Sequence, residues 1–242
     1  MQIKKIRHQE GLFLAEGLKL TEELLASDYQ VAAIVIREGT PLPPGLVLPE
    51  DLCHQTDSDT FQRLSTQVNP EGVLTVARIP GAPLCLRDLS ADATPPGPAL
   101  VLAAIQDPGN LGTIIRTSEW FGLGSVVLGP GTVDPFNPKV ARSAMGSLFR
   151  TPLHLVADLK EWATIHAHEI WCADMDGEPL NEVNLSERPY ILLGNESLGV
   201  PAEVANIPGL RRVTIPRIGK AESLNAATAA AVFAWHLRFG KP

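Results

Sequence analysis

Val213-Thr214-Ile215-Pro216-Arg217-Ile218-Gly219-Lys220-Ala221-Glu222-Ser223-Leu224-Asn225 runs directly into AATAAAVFAWHLRF at 226–239. The first residues read as an apolar strand that stops at Pro216, and Gly219 turns the loop that follows. Ser223 stands where the last helix is expected to begin, so the spacing predicts a helix over 223–239. That helix is small or apolar nearly all round, the pattern of a helix buried on most sides. Its alanines permit close backbone approach, as in a helix wedged between chain segments or subunits. An alanine-rich core helix explains the alanines, but not the polar Ser223-Leu224-Asn225 at its mouth.

Upstream the same rhythm repeats. Residues 99–106 (ALVLAAIQ), Ser125–Leu128, residues 170–175, Tyr190–Leu193 and residues 212–215 are apolar runs of strand length. Residues 110–121 and 138–149 have helical character. Apolar strands alternating with helices predict an α/β fold, a parallel sheet covered by helices on both faces. Before it, residues 79–98 are rich in Pro and Gly and read as a linker. The first eighty residues form a smaller α/β unit: a short strand over 11–17 that ends at a glycine, a helix over 18–27, and strands at Val31–Arg37 and 73–79. The expected division is 1–80, a linker at 81–98, and 99–242.

Composition bounds the function only loosely. The chain has 242 residues, 45% hydrophobic and 19% charged, ordinary values for a soluble globular protein. No apolar run reaches the roughly 18 residues of a membrane span. The basic N-terminus has no apolar signal core behind it. Cys53, Cys85 and Cys172 are scattered without CxxC spacing, as reduced thiols of a cytoplasmic protein would be. The net charge of −7 argues mildly against a nucleic-acid partner, although local patches matter more than the total. Two such patches exist: Lys4, Lys5, Arg7 and His8, and Arg211, Arg212, Arg217 and Lys220. Either reads equally well as solvated surface charge.

Ligands of a parallel sheet collect at the carboxyl ends of its strands, which singles out three loops. In the first, Asp107-Pro108-Gly109-Asn110-Leu111-Gly112, Asn110 is the expected cap of a helix. Arg116 follows in its second turn on a face read as pointing back to the loop, a guanidinium fork suited to a phosphate. In the second, Gly194-Asn195-Glu196-Ser197-Leu198-Gly199, glycines bracket an acid projecting from the sheet's end. A plain turn capping the next helix explains that loop equally well. The third is the opening stretch. Neither G-x-G-x-x-G nor G-x-S-x-G occurs at these loops, which excludes a dinucleotide fingerprint and a nucleophile elbow. The histidines show no ligand spacing there, so no metal is expected.

Together the three segments resemble the SpoU family of RNA ribose methyltransferases, also called TrmH, within the SPOUT class. The family's N-x-G-x-x-x-R is matched by Asn110, Gly112 and Arg116, and its G-x-E-x-x-G by Gly194, Glu196 and Gly199. Its I-P-x-x-G-x-x-x-S-L-N is matched by Ile215, Pro216, Gly219, Ser223, Leu224 and Asn225. Phe13, Leu14, Glu16 and Gly17 (F-L-x-E-G) look like the family's substrate-binding domain. The resemblance implies a deep C-terminal trefoil knot, a homodimer with its sites near the interface, and S-adenosylmethionine as methyl donor. It implies cofactor contacts at Gly194, Ile215, Gly219, Ser223 and Leu224. It implies catalytic roles for Asn110, Arg116, Glu196 and Asn225, with Arg116 on the phosphate of the reacting nucleotide or assisting its deprotonation. The substrate it implies is the ribose 2′-hydroxyl of RNA, ribosomal RNA ahead of transfer RNA. The alternatives are a transfer RNA ribose methyltransferase, a base-methylating relative on the same fold, and an RNA-binding member without catalysis. Two departures stand out: Ala226-Ala227-Thr228 where Val-Ser often follows the asparagine, and Arg217 where many members carry Met.

Overall fold

The computed structural model describes residues 4–80, 86–185, 189–195 and 197–240. The first unit holds β1 (Leu12–Glu16), β2 (Val31–Arg37), β3 (Cys53–Thr56) and β4 (Val73–Arg78), with α1 (Lys4–Glu10), α2 (Leu18–Leu25) and α3 (Ser58–Leu64). Its sheet runs β1-β4-β2-β3; β4 is antiparallel to both neighbours and β3 parallel to β2. The sequence gives little sign of β3, because Cys-His-Gln-Thr carries no apolar run. That strand rests on its ladder with β2 instead.

The second unit holds β5 (Leu86–Leu89), β6 (Ala99–Leu102), β7 (Ser125–Leu128), β8 (Leu153–Val156), β9 (Ile170–Pro179), β10 (Tyr190–Leu193) and β11 (Arg211–Thr214). They form one sheet in the order β11-β9-β10-β6-β7-β8-β5, and every pairing is parallel. Its helices are α4 (Pro108–Trp120), α5 (Pro138–Ala144), α6 (Leu159–Ile165), α7 (Ala202–Ala205) and α8 (Ala226–Phe239). Successive residues of the central strands feed opposite faces. Leu100, Leu102, Val126 and Ile191 pack with Leu111, Ile114, Ala230 and Phe233 on one side. Ala99, Val101, Val127 and Leu192 pack with Trp162 and Val204 on the other. The covered parallel sheet expected from the apolar strands is the one observed.

Some details differ from the sequence reading. Leu86–Leu89, inside the stretch read as a linker, is the edge strand β5 alongside β8. An edge strand of four residues amid Pro and Gly carries too little pattern to be read locally. The helical run from Pro138 breaks at Met145, whose φ is 54°, and continues as a 3-10 turn to Phe149. Cys172 is buried in β9, and burial raises its thiol pKa to about 12, so it is a protonated core residue at neutral pH.

The two units share one core. Phe13 stacks near Phe136 at 5.0 Å between ring centroids, and Tyr29 meets Phe149 at 5.1 Å. Arg7 reaches Asp134 through Nη2 at 2.5 Å and Nε at 3.0 Å, with both side chains almost wholly buried. Glu16 accepts from Arg142 of α5 at 3.3 Å and from the Thr66 N–H at 3.1 Å. Arg150 bridges Glu23 of α2 and Glu119 of α4. Arg7 therefore locks the units together and is not part of an exposed basic patch.

Candidate active site

Helix α8 opens at Ala226, three residues later than the sequence suggested. Asn225 is its cap: Oδ1 accepts from the N–H groups of Ala227 at 2.9 Å and Thr228 at 3.3 Å. Ser223 and Leu224 thus stay in the exposed loop. The first helix is corrected in the opposite sense, since it begins earlier than read. Asp107 caps α4 by accepting from the Asn110 N–H at 2.9 Å, and Pro108 takes the first helical position. That N–H, with Lys139 at 3.5 Å adding to it, holds the Asp107 carboxyl below the usual carboxylate range. Asn110 consequently lies inside the first turn, where its side chain is not needed as a cap. Its Oδ1 accepts from Asn225 Nδ2 at 2.9 Å, joining the first loop to the third across 115 positions of sequence.

Gly112 sets how closely α4 lies on α5. A Cβ there would sit 2.7 Å from the Val140 carbonyl oxygen and 2.8 Å from the Ala144 nitrogen. Backbone cannot give way as a flexible side chain can, so Gly112→Ala is expected to cost about 1–3 kcal/mol by overpacking. A melting temperature equal to that of the native protein would disprove the close contact.

A cavity of about 360 Å³ opens between Ala173–Asp174–Met175 of β9, the loop from β11 to α8, and Ala229 and Phe233 of α8. Ile215, Gly219, Ser223 and Leu224 all line it; Gly194 does not. Gly194 follows the rung that pairs Leu193 with Leu102, at the carboxyl end of β10, whose other neighbour β9 lines the cavity. Most of the wall is apolar, with Asp174, Thr214, Arg217, Glu222 and Ser223 as polar points. The size lies in the range of small-ligand pockets, and the chemistry suits the flat, mostly apolar adenosyl group of a cationic cofactor. The second basic patch is largely committed elsewhere. Arg212 pairs with Asp174 at 3.1 Å, and Arg211 grips Glu178 at 2.7 Å while lying over the Trp171 ring. Arg217 and Lys220 remain exposed on the loop.

The 194–199 loop is a tight closure. Asn195 and Gly199 exchange backbone hydrogen bonds of 3.0 and 2.9 Å. A Cβ on Gly194 would come within 2.1 Å of the Gly199 carbonyl carbon, so only glycine fits. Glu196 lies outside the described residues. Arg116 is exposed on α4 and faces a second hollow of about 530 Å³, shared with Lys19, Glu119, Trp120 and Arg150. It does not line the first cavity; the sequence reading had it on a face pointing back to the first loop, and six residues of helix turn it away from Asn110. It makes no ion pair among the described residues, whereas Arg142, Arg150, Arg211 and Arg212 all do. Among the described residues no group of three or more His, Cys, Asp or Glu side chains is placed to hold a metal, and no helix is long and apolar enough to cross a membrane.

The parallel sheet with three loops at its carboxyl edge, and a cavity of small-ligand size walled by the third, agrees with the comparisons with known proteins, which make this a methyltransferase that uses S-adenosylmethionine. Residues 97–235 match the SpoU rRNA Methylase family, and the chain belongs to it. Residues 1–75 match the MRM3-like substrate binding domain. The chain is 35% identical over 241 residues to the 23S rRNA (guanosine(2553)-2′-O)-methyltransferase RlmP of Bacillus subtilis, covering 98% of this chain and 93% of that one. Its structure matches a TrmH-family protein from Porphyromonas gingivalis with a TM-score of 0.81 and 32% identity, over 98% of this chain and 93% of the other. It also matches the AdoMet-bound rRNA methyltransferase from Sinorhizobium meliloti with a TM-score of 0.79 and 27% identity, over 98% and 90%.

Proposed function

We propose that this protein methylates a ribose 2′-hydroxyl of ribosomal RNA. The observation that carries the reading is the Asn110–Asn225 hydrogen bond, made where the loop walling the cavity enters α8. It gathers into one place residues that the family motifs separate widely. The cavity wall at Ile215, Gly219, Ser223 and Leu224 holds the cofactor, and bare Gly194 lets its loop close beside it. Bound there, S-adenosylmethionine supplies a methyl group made electrophilic by its sulfonium. The chain's own tasks are to align the hydroxyl and to ease loss of its proton. Asn110, Asn225 and Glu196 orient the nucleotide. Arg116 holds its phosphate: its guanidinium is a planar fork suited to a phosphate, and it is exposed and makes no ion pair among the described residues.

In this reading residues 1–80 bind the RNA, and residues 99–242 carry the reaction together with the edge strand β5, which lies inside the 81–98 connection. The ribosomal preference is supported by the B. subtilis relative's named substrate and by the match of residues 1–75. The C-terminal knot is supported by the path of the chain, since β11 lies beyond β9 while α8 returns to pack on α4 and β10. A homodimer is supported by Trp120, Trp235 and Phe239, exposed by 83%, 52% and 59% where α4 and α8 end. A cytoplasmic location, with no membrane partner, agrees with the unpaired cysteines Cys53 and Cys172.

The test is to supply methyl-labelled S-adenosylmethionine with unmodified ribosomal and transfer RNA. Label is expected in ribosomal RNA. Label confined to transfer RNA would replace the substrate, and none in either would favour an RNA-binding protein without catalysis.

A further inference from the structure

We propose that Asn195 is a positioning residue that holds the Glu196 loop in register with the loop carrying Asn110. The inference rests on the proposed function and adds a residue to it. The last backbone rung between β6 and β10 is the Ala103 N–H to the Leu193 carbonyl, at 2.8 Å. Beyond it the strands have no ladder, and the Asn195 side chain continues the pairing: Nδ2 donates to the Ala104 carbonyl at 3.0 Å. Its other end is equally engaged, because Oδ1 accepts from the N–H groups of Ser197 at 2.9 Å and Leu198 at 3.1 Å. One side chain thus ties the Ser197 and Leu198 N–H groups to the segment that follows β6.

The fastening point is itself unusual. Ala104 has a φ of 57°, in the left-handed region that a residue with a Cβ seldom adopts, and it packs closely against Gly131. Such a conformation persists only where the surroundings impose it. Three residues on, Asp107 caps α4 and places Asn110 in its first turn. The path from Asn195 to Asn110 is therefore short and rigid. Asn195 does not line the cofactor cavity, so its effect on the reaction is one of alignment.

Asn195→Asp keeps an acceptor for the turn but sets a carboxylate oxygen against the Ala104 carbonyl. Asn195→Ser keeps a short acceptor and cannot reach Ala104. With ribosomal RNA as substrate, kcat is expected to fall about 100-fold in either variant, the cost of a misplacement near 1 Å, while KM for RNA stays within about twofold. Cofactor affinity by calorimetry and the melting temperature should stay close to those of the native protein. Undiminished kcat, or a loss that only follows the folded fraction, overturns the positioning role; if the aspartate variant does not fold, the serine variant decides. A native protein that forms no 2′-O-methyl product sinks the proposed function instead, so the two failures are distinguishable.

Discussion

Arg116→Lys is expected to lower kcat about 100-fold or more, although the charge is retained. Lysine offers a point charge on a flexible stem, whereas arginine presents a planar fork that fixes a phosphate in two directions at once. Arg116 is exposed and carries no ion pair among the described residues, so its replacement should leave the melting temperature unchanged. Initial rates at saturating cofactor and RNA separate this from a binding defect. Near-native turnover in the lysine variant would remove Arg116 from the reaction.

The second large effect is on stability. Arg7 and Asp134 face each other with side chains only 2% and 4% exposed, and Asp134 also accepts from the Phe136 N–H at 3.0 Å. Asp134→Ala would take from a buried guanidinium the carboxylate that faces it, at a cost of about 3–5 kcal/mol. For a chain of this size that is a fall of roughly 10 °C in melting temperature. Removing both charges together, Arg7→Met with Asp134→Leu, should restore part of the loss, because no buried charge is left unmatched even though the Phe136 N–H loses its acceptor. A single variant that melts with the native protein would show that the first unit is not anchored through this pair.

The sequence made the central strands β6, β7 and β10 legible because they are buried throughout and almost wholly apolar, whereas β8, broken by His154, and the edge strand β5 went unread. It made the three loops legible because glycine, proline and asparagine at strand ends have few other uses. What it hid was set by contacts far apart in the chain. Pro108, suited to the first helical position, was the local sign that Asp107 and not Asn110 is the cap, whereas nothing local distinguishes Ser223 from Asn225. The choice falls on the residue whose neighbour is needed elsewhere, and Asn110 is held by a partner 115 residues away. Arg7 looked like surface charge because Asp134 lies 127 residues downstream. Gly112 could be seen as a motif position, but its cause, the backbone of α5, could not. Asn195 was passed over because asparagine next to glycine usually signals nothing more than a turn. Its bond to Ala104 requires knowing that β10 lies beside β6.

The central claim is that the methyl group lands on a ribose oxygen, and the labelled RNA product tests it most directly. A 2′-O-methyl group blocks the alkaline cleavage that an adjacent free 2′-hydroxyl permits. Alkaline digestion of RNA labelled by the native protein should therefore leave the label in a dinucleotide, and the Arg116→Ala variant should leave little or none. Label recovered in a mononucleotide, on a base, would contradict the account and place the chemistry on a different acceptor.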